Sequence, residues 1–149
     1  MAASTTDFFT ITGAANTKVK IESISIIGEA TNNNIPDVIL LKRSTANSGG
    51  TSTTPTAVVH SSSDGAASAV VRAYTANPTL GTLEGHIKNV DIFFSGTNTS
   101  PSQYFEFVFG DRASKAITLN SASEVLSFNL GGVTVAGASV NVDITWTEE

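Results

Sequence analysis

His60 is followed directly by Ser61, Ser62, Ser63 and Asp64, which are the residue types of a nucleophilic triad in consecutive positions. A serine hydroxyl attacks a carbonyl only when a histidine takes its proton and a carboxylate orients that histidine. Residues this close in sequence seldom converge in that geometry, and no Gly-x-Ser-x-Gly elbow surrounds any serine of the chain. The segment therefore reads as a polar loop that turns at Asp64-Gly65, with His60 either exposed or against a neighbour.

The remaining chemistry-bearing residues are scattered. Only one other histidine exists, His86, and neither histidine has a second ligand at the spacing of a known metal site. Asp64, Asp91, Glu106 and Asp111 are dispersed and match no calcium-binding loop, so neither a metal nor a cofactor is expected. Glu106 falls opposite Phe105, Phe107 and Phe109 in an alternating run, which makes it a solvated face residue rather than half of a glycosidase carboxylate pair. Tyr74, Tyr104 and Trp146 could stack on a sugar. Trp146 is in phase with Val140, Val142 and Ile144, so it is expected in the core. Arg72 and Tyr74 precede the Asn77-Pro78 turn, and an exposed Arg-Tyr pair is the composition of an interface hot spot. One glycosylation sequon, Asn98-Thr99-Ser100, carries little weight without a secretory signal.

Bulk properties narrow the function classes further. A chain of 149 residues fits one domain. Its charged fraction of 14% is well below the ~25% of an average soluble protein, so hydroxyls and amides carry the polarity. A net charge of −5, with eight scattered basic residues, opposes a phosphate grip on nucleic acid. The absence of cysteine excludes a disulfide scaffold and thiolate chemistry. No apolar run approaches the ~20 residues of a membrane span, and Met1 to Phe9 lacks the regions of a signal peptide. A soluble, non-enzymatic product of a cytoplasm, bound neither to membrane nor to nucleic acid, is expected.

The elements that would position these residues are strands. Ser139 to Thr147 alternates cleanly, with Val140, Val142, Ile144 and Trp146 on one face. Gln103 to Phe109 and Glu124 to Leu130 alternate likewise. In Lys18 to Ile27 the apolar phase shifts from Val19 and Ile21 to Ile24 and Ile26, which predicts a bulge near Glu22 to Ser23. Phe8 to Thr12, Asp37 to Leu41, Thr82 to Phe94 and Ala116 to Leu119 bring the set to about eight strands, with no helical pattern between them. The fold class is therefore all-β: an antiparallel, jelly-roll-like β-sandwich over 8–149, with a flexible arm over 1–7. An immunoglobulin-like sandwich is the near alternative, but the chain lacks its cysteine pair.

Between the strands lies a long, nearly uncharged stretch, Arg43 to Pro78, within which Val58-Val59 and Val70-Val71 could anchor short strands. Three blocks, RSTANSGGTSTTPTAVVH (Arg43 to His60), AYTANPTLGTLEG (Ala73 to Gly85) and VAGASVNVDITWTEE (Val135 to Glu149), resemble small β-rich structural proteins of tailed bacteriophages and prophages, most closely capsid decoration (cement) proteins. That resemblance implies a virion component on the capsid exterior that binds the major capsid protein as an oligomer, with a trimer favoured. It implies contacts through the arm and the polar stretch, with Phe8, Phe9, Arg43, Asn47, His60, Arg72 and Tyr74 as the expected interface residues. Deleting Met1 to Asp7 is then expected to weaken particle association without unfolding the domain. The alternative is a carbohydrate- or receptor-binding jelly roll of a phage tail or fibre.

Overall fold

A computed structural model describes residues 6–96, 101–111 and 115–149. Eleven strands form two packed sheets: β1 (Asp7–Thr12), β2 (Val19–Ala30), β3 (Asp37–Arg43), β4 (Thr51–Thr53), β5 (Val70–Ala76), β6 (Leu83–Asp91), β7 (Ser95–Gly96), β8 (Tyr104–Val108), β9 (Ile117–Leu119), β10 (Val125–Asn129) and β11 (Ser139–Glu148). No helix occurs among the described residues. The protein is an antiparallel β-sandwich, as alternation and turn chemistry predicted. The strands beyond the eight expected are β4, β5 and β7, of which β5 starts at the Val70-Val71 pair expected to anchor a short strand. They are short or set in polar sequence, where hydrophobic alternation gives little signal.

The larger sheet has the order β4-β5-β1-β10-β3-β6. In the smaller one, β2 lies at the centre, with β11 on one side and β8, β9 and the parallel β7 along the other. The predicted bulge is present: Thr145 faces Ser23 and Trp146 faces Ile21, which leaves Glu22 as the extra residue. On the opposite side of β2 the partner changes from β8 to β9 at that point, and the Glu22 carbonyl accepts a 2.7 Å hydrogen bond from Phe109 N–H. The bulge returns both halves of β2 to the same inner face, so Val19, Ile21, Ile24 and Ile26 are all buried.

An aromatic cluster joins the sheets. Phe128 of β10 lies 6.0 Å from Phe8, 6.2 Å from Phe9 and 6.2 Å from Phe107 of β8. Two consecutive phenylalanines reach one ring because β1 is bulged. Asp7 faces Asn129 and Phe9 faces Phe128, which leaves Phe8 as the extra residue on the same side as Phe9. Phe8 and Phe9, expected at an interface, are therefore core residues. The expected arm is corrected at the same place. Asp7 belongs to β1 and is fully buried, and Thr6 is also buried; residues 1–5 lie outside the described residues.

The strands β1, β10 and β3 are buried on both faces. Their inner face meets the smaller sheet. On the outer face, two connections, 44–50 from β3 to β4 and 77–82 from β5 to β6, meet at the Asp7–Arg43 pair. They run antiparallel to each other, with reciprocal Ser48–Thr79 hydrogen bonds of 3.0 and 2.8 Å. Gly81 lies so close to Thr45 that a Cβ there would sit 1.8 Å from the Thr45 carbonyl oxygen.

The edge strand β6 exposes Glu84, His86, Lys88 and Asp91 and is interrupted by bulges at Ile87 and Glu84. Charge and irregularity of this kind block edge-to-edge pairing. Trp146 is half-buried rather than fully inside, because β11 is also an edge; its indole N–H donates to Glu148 over 2.9 Å.

Candidate functional site

The stretch from Arg43 to Pro78 divides into parts with different physics. Its first part is structural. Arg43 points to the outer face of the larger sheet and is 4% exposed. Its guanidinium grips Asp7 through two hydrogen bonds, of 2.7 Å from Nε and 2.8 Å from Nη2, and Nη1 donates to the Gly81 carbonyl over 2.9 Å. Asn47 donates to the same carboxylate at 2.7 Å and Asn129 at 3.2 Å. The Asn47 carbonyl in turn accepts from Gly81 N–H at 2.8 Å. Burial alone would raise the Asp7 pKa, but the Arg43 and Asn47 hydrogen bonds, the Arg43 charge and Asn129 together hold it below the usual aspartate value. A buried carboxylate accepting four hydrogen bonds, two of them from a bidentate guanidinium, clamps β1, β3, β10 and both crossing connections together. Arg43 and Asn47, both expected at an interface, thus hold the clamp, Arg43 buried and Asn47 half-buried.

The second part, 54–68, is exposed almost throughout. Val58-Val59 forms no strand; Val58 is 85% exposed and Val59 39%. His60 is exposed and makes no hydrogen bond to the serines after it. Those serines bond one another, with Ser61 and Ser63 hydroxyls 2.7 Å apart, and the turn is closed by Asp64 N–H on the Ser61 carbonyl. The triad letters therefore do not assemble. This connection is tied down at its end: Glu148 of β11 accepts hydrogen bonds from the N–H groups of Ser68 and Ala69 at 2.9–3.0 Å. Burial opposes the charge on Glu148, but these backbone donors and the Trp146 indole lower its pKa.

The third part is the face of β5. Val70, Arg72 and Tyr74 alternate onto the outer side of the larger sheet and line an open hollow of about 560 Å³, together with Thr12 of β1, Ser52 of β4 and Ser68. Tyr74 is 4% exposed, so only its edge reaches the hollow, and Arg72 is half-buried. The Arg-Tyr pair is thus brought together, but as the floor of a concavity rather than as a protruding hot spot. The hollow was missed in the sequence because its walls are alanines and glycines from 13–15, 46–49 and 122, which carry no chemical signature. The phase shared by Val70, Arg72 and Tyr74 was the one available sign of it.

Elsewhere, Tyr104 and Val108 are exposed beside Glu106 on β8, and His86 is exposed on the β6 edge. Asp37 and Asp91 face each other across β3 and β6. The Asp37 carboxylate, by hydrogen bond and by like charge, raises the pKa of Asp91. Among the described residues no three His, Asp or Glu side chains gather closely enough to hold a metal ion. The Asn98 sequon lies outside the described residues. Comparison with known protein families, with curated proteins and with solved structures finds no match.

Proposed function

We propose that this chain is a non-enzymatic structural protein of a phage virion, a jelly-roll-like module that decorates the capsid as a homo-oligomer, trimeric by preference, and stabilises it through contacts with the major capsid protein. The 54–68 connection carries this reading. It stands out from a sandwich whose β6 edge is guarded by charge, it is rich in hydroxyls that can bond an extended partner at little desolvation cost, and it presents Val58 at 85% exposure. A cement protein accelerates no reaction; it buries surface at many equivalent junctions, where repetition multiplies weak contacts. The blocks that resemble decoration proteins include the first half of this connection, 54–60, and the segments 43–53 and 73–85 on either side.

Of the two expected contact elements, the arm and the polar stretch, only the 54–68 part of the stretch is retained. Removing Met1 to Asp7 would delete the buried carboxylate of the Arg43 clamp, so loss of particle binding by that truncation would report unfolding. The informative variant replaces Val58 to Asp64 with a Gly-Ser linker of equal length. Its occupancy on capsids of the encoding phage or prophage is expected to fall sharply while its urea midpoint stays within error of the parent. Undiminished occupancy would contradict the proposal.

A further inference from the structure

The hollow over β1, β4 and β5 contains a cation with nothing to neutralise it. Arg72 is the only charged residue among those lining it, and it makes no ion pair or hydrogen bond through its side chain among the described residues. The carboxylates bonded to residues of its lining are already engaged: Asp7, behind Asn47, accepts from Arg43, Asn47 and Asn129, and Glu148 accepts from Ser68, Ala69 and Trp146. The Tyr74 hydroxyl is likewise without a partner, yet it is absent from the buried unpaired oxygens, which are those of Thr6, Ser95 and Ser127; it therefore opens into the hollow. The hydroxyls of Thr12 and Ser52 line the same space and make no hydrogen bonds of their own among the described residues, whereas that of Ser68 is held by Glu148.

We propose that this hollow binds a carboxylate-bearing sugar, a uronic acid residue, with its carboxylate on the Arg72 fork and its ring hydroxyls on Tyr74, Ser52 and Thr12. A planar guanidinium matches a carboxylate in two parallel hydrogen bonds. A single arginine balances one negative charge, whereas a doubly charged phosphate monoester would leave one uncompensated in a protein of net charge −5. Around that anchor the free groups are hydroxyls, each both donor and acceptor, spread over three strands. That suits a polyhydroxylated ring better than the aliphatic stem of an acidic peptide side chain. Walls of alanine and glycine leave room for the ring, and about 560 Å³ lies within the ~300–1,000 Å³ of small-molecule sites.

The test is an NMR titration of the isotope-labelled full chain with glucuronate, glucose and acetate in parallel, repeated on Arg72→Gln and Arg72→Lys. The proposal expects saturable shifts from glucuronate at Val70 to Tyr74, Ser52 and Ser68. It also expects binding about tenfold or more weaker in Arg72→Gln, and an intermediate loss in Arg72→Lys, which keeps the charge but not the fork. Glucose binding as tightly as glucuronate would overturn the carboxylate anchor. Acetate binding as tightly would overturn the sugar. No shifts in the hollow, or equal affinity in Arg72→Gln, would overturn the site. Unchanged shifts elsewhere in Arg72→Gln show that the variant is folded.

Discussion

Two arginines on one face of one sheet have opposite fates. Arg43 sits under two crossing connections, 4% exposed, with three of its nitrogens bonded and its charge matched by Asp7. Arg72, three strands away in the sheet, lines an open hollow with no side-chain partner among the described residues. The difference lies in what crosses above them. Connections 44–50 and 77–82 close over the first and stop short of the second. A buried, saturated charge stabilises the native arrangement only while both partners are present; a half-buried, unsatisfied one is free for a ligand.

That contrast is open to attack at several points, beginning with the largest effect. Asp7→Asn and Arg43→Gln each leave an uncompensated group inside the clamp and are expected to cost about 3–5 kcal/mol in urea unfolding. Gly28→Ala comes next. Its new Cβ would lie 2.4 Å from the ring of Phe94, which is fully buried and cannot move aside, so a loss of about 1–3 kcal/mol is expected from the same measurement. Glu148→Gln keeps the shape but weakens the acceptor that holds Ser68, Ala69 and Trp146. About 1 kcal/mol is expected, with amide exchange of 68–69 accelerated before that of β1.

The pH dependence tests the clamp without mutation. Asp7 has a folded pKa below its unfolded value of about 3.9, so its contribution is fully present above that value and is lost as pH falls through the folded pKa. Glu124 and Glu148 act in the same direction. Asp91 acts oppositely: its raised pKa favours folding at low pH, and that contribution is lost as pH rises through the folded value. Stability is therefore expected to be flat at neutral pH and to fall in acid below about pH 4, less steeply in Asp7→Asn. An identical acid limb in that variant would remove Asp7 from the account.

How much of this was legible depends on how local each signal was. The Glu22 bulge could be read from four apolar residues of one strand, because side-chain alternation makes any phase change visible. Phe8 and Phe9 were misplaced because their shared orientation depends on pairing with β10, more than a hundred residues away in sequence. Arg43 was misplaced for the same reason: its hydrogen-bond partners are Asp7 and Gly81, 36 and 38 residues distant. Its sequence neighbours, serine, threonine and asparagine, look no different from those of an exposed loop. Arg72 and Tyr74 were recognised as a pair, but alanine and glycine walls announce no concavity.

The most direct test is equilibrium urea unfolding of Arg43→Gln beside Arg72→Gln. Arg43→Gln should lose about 3–5 kcal/mol, while Arg72→Gln stays within about 0.5 kcal/mol of the parent, as a substitution away from buried networks does. A loss in Arg72→Gln equal to that in Arg43→Gln would mean that both arginines are structural, and the distinction between clamp and binding hollow would fall.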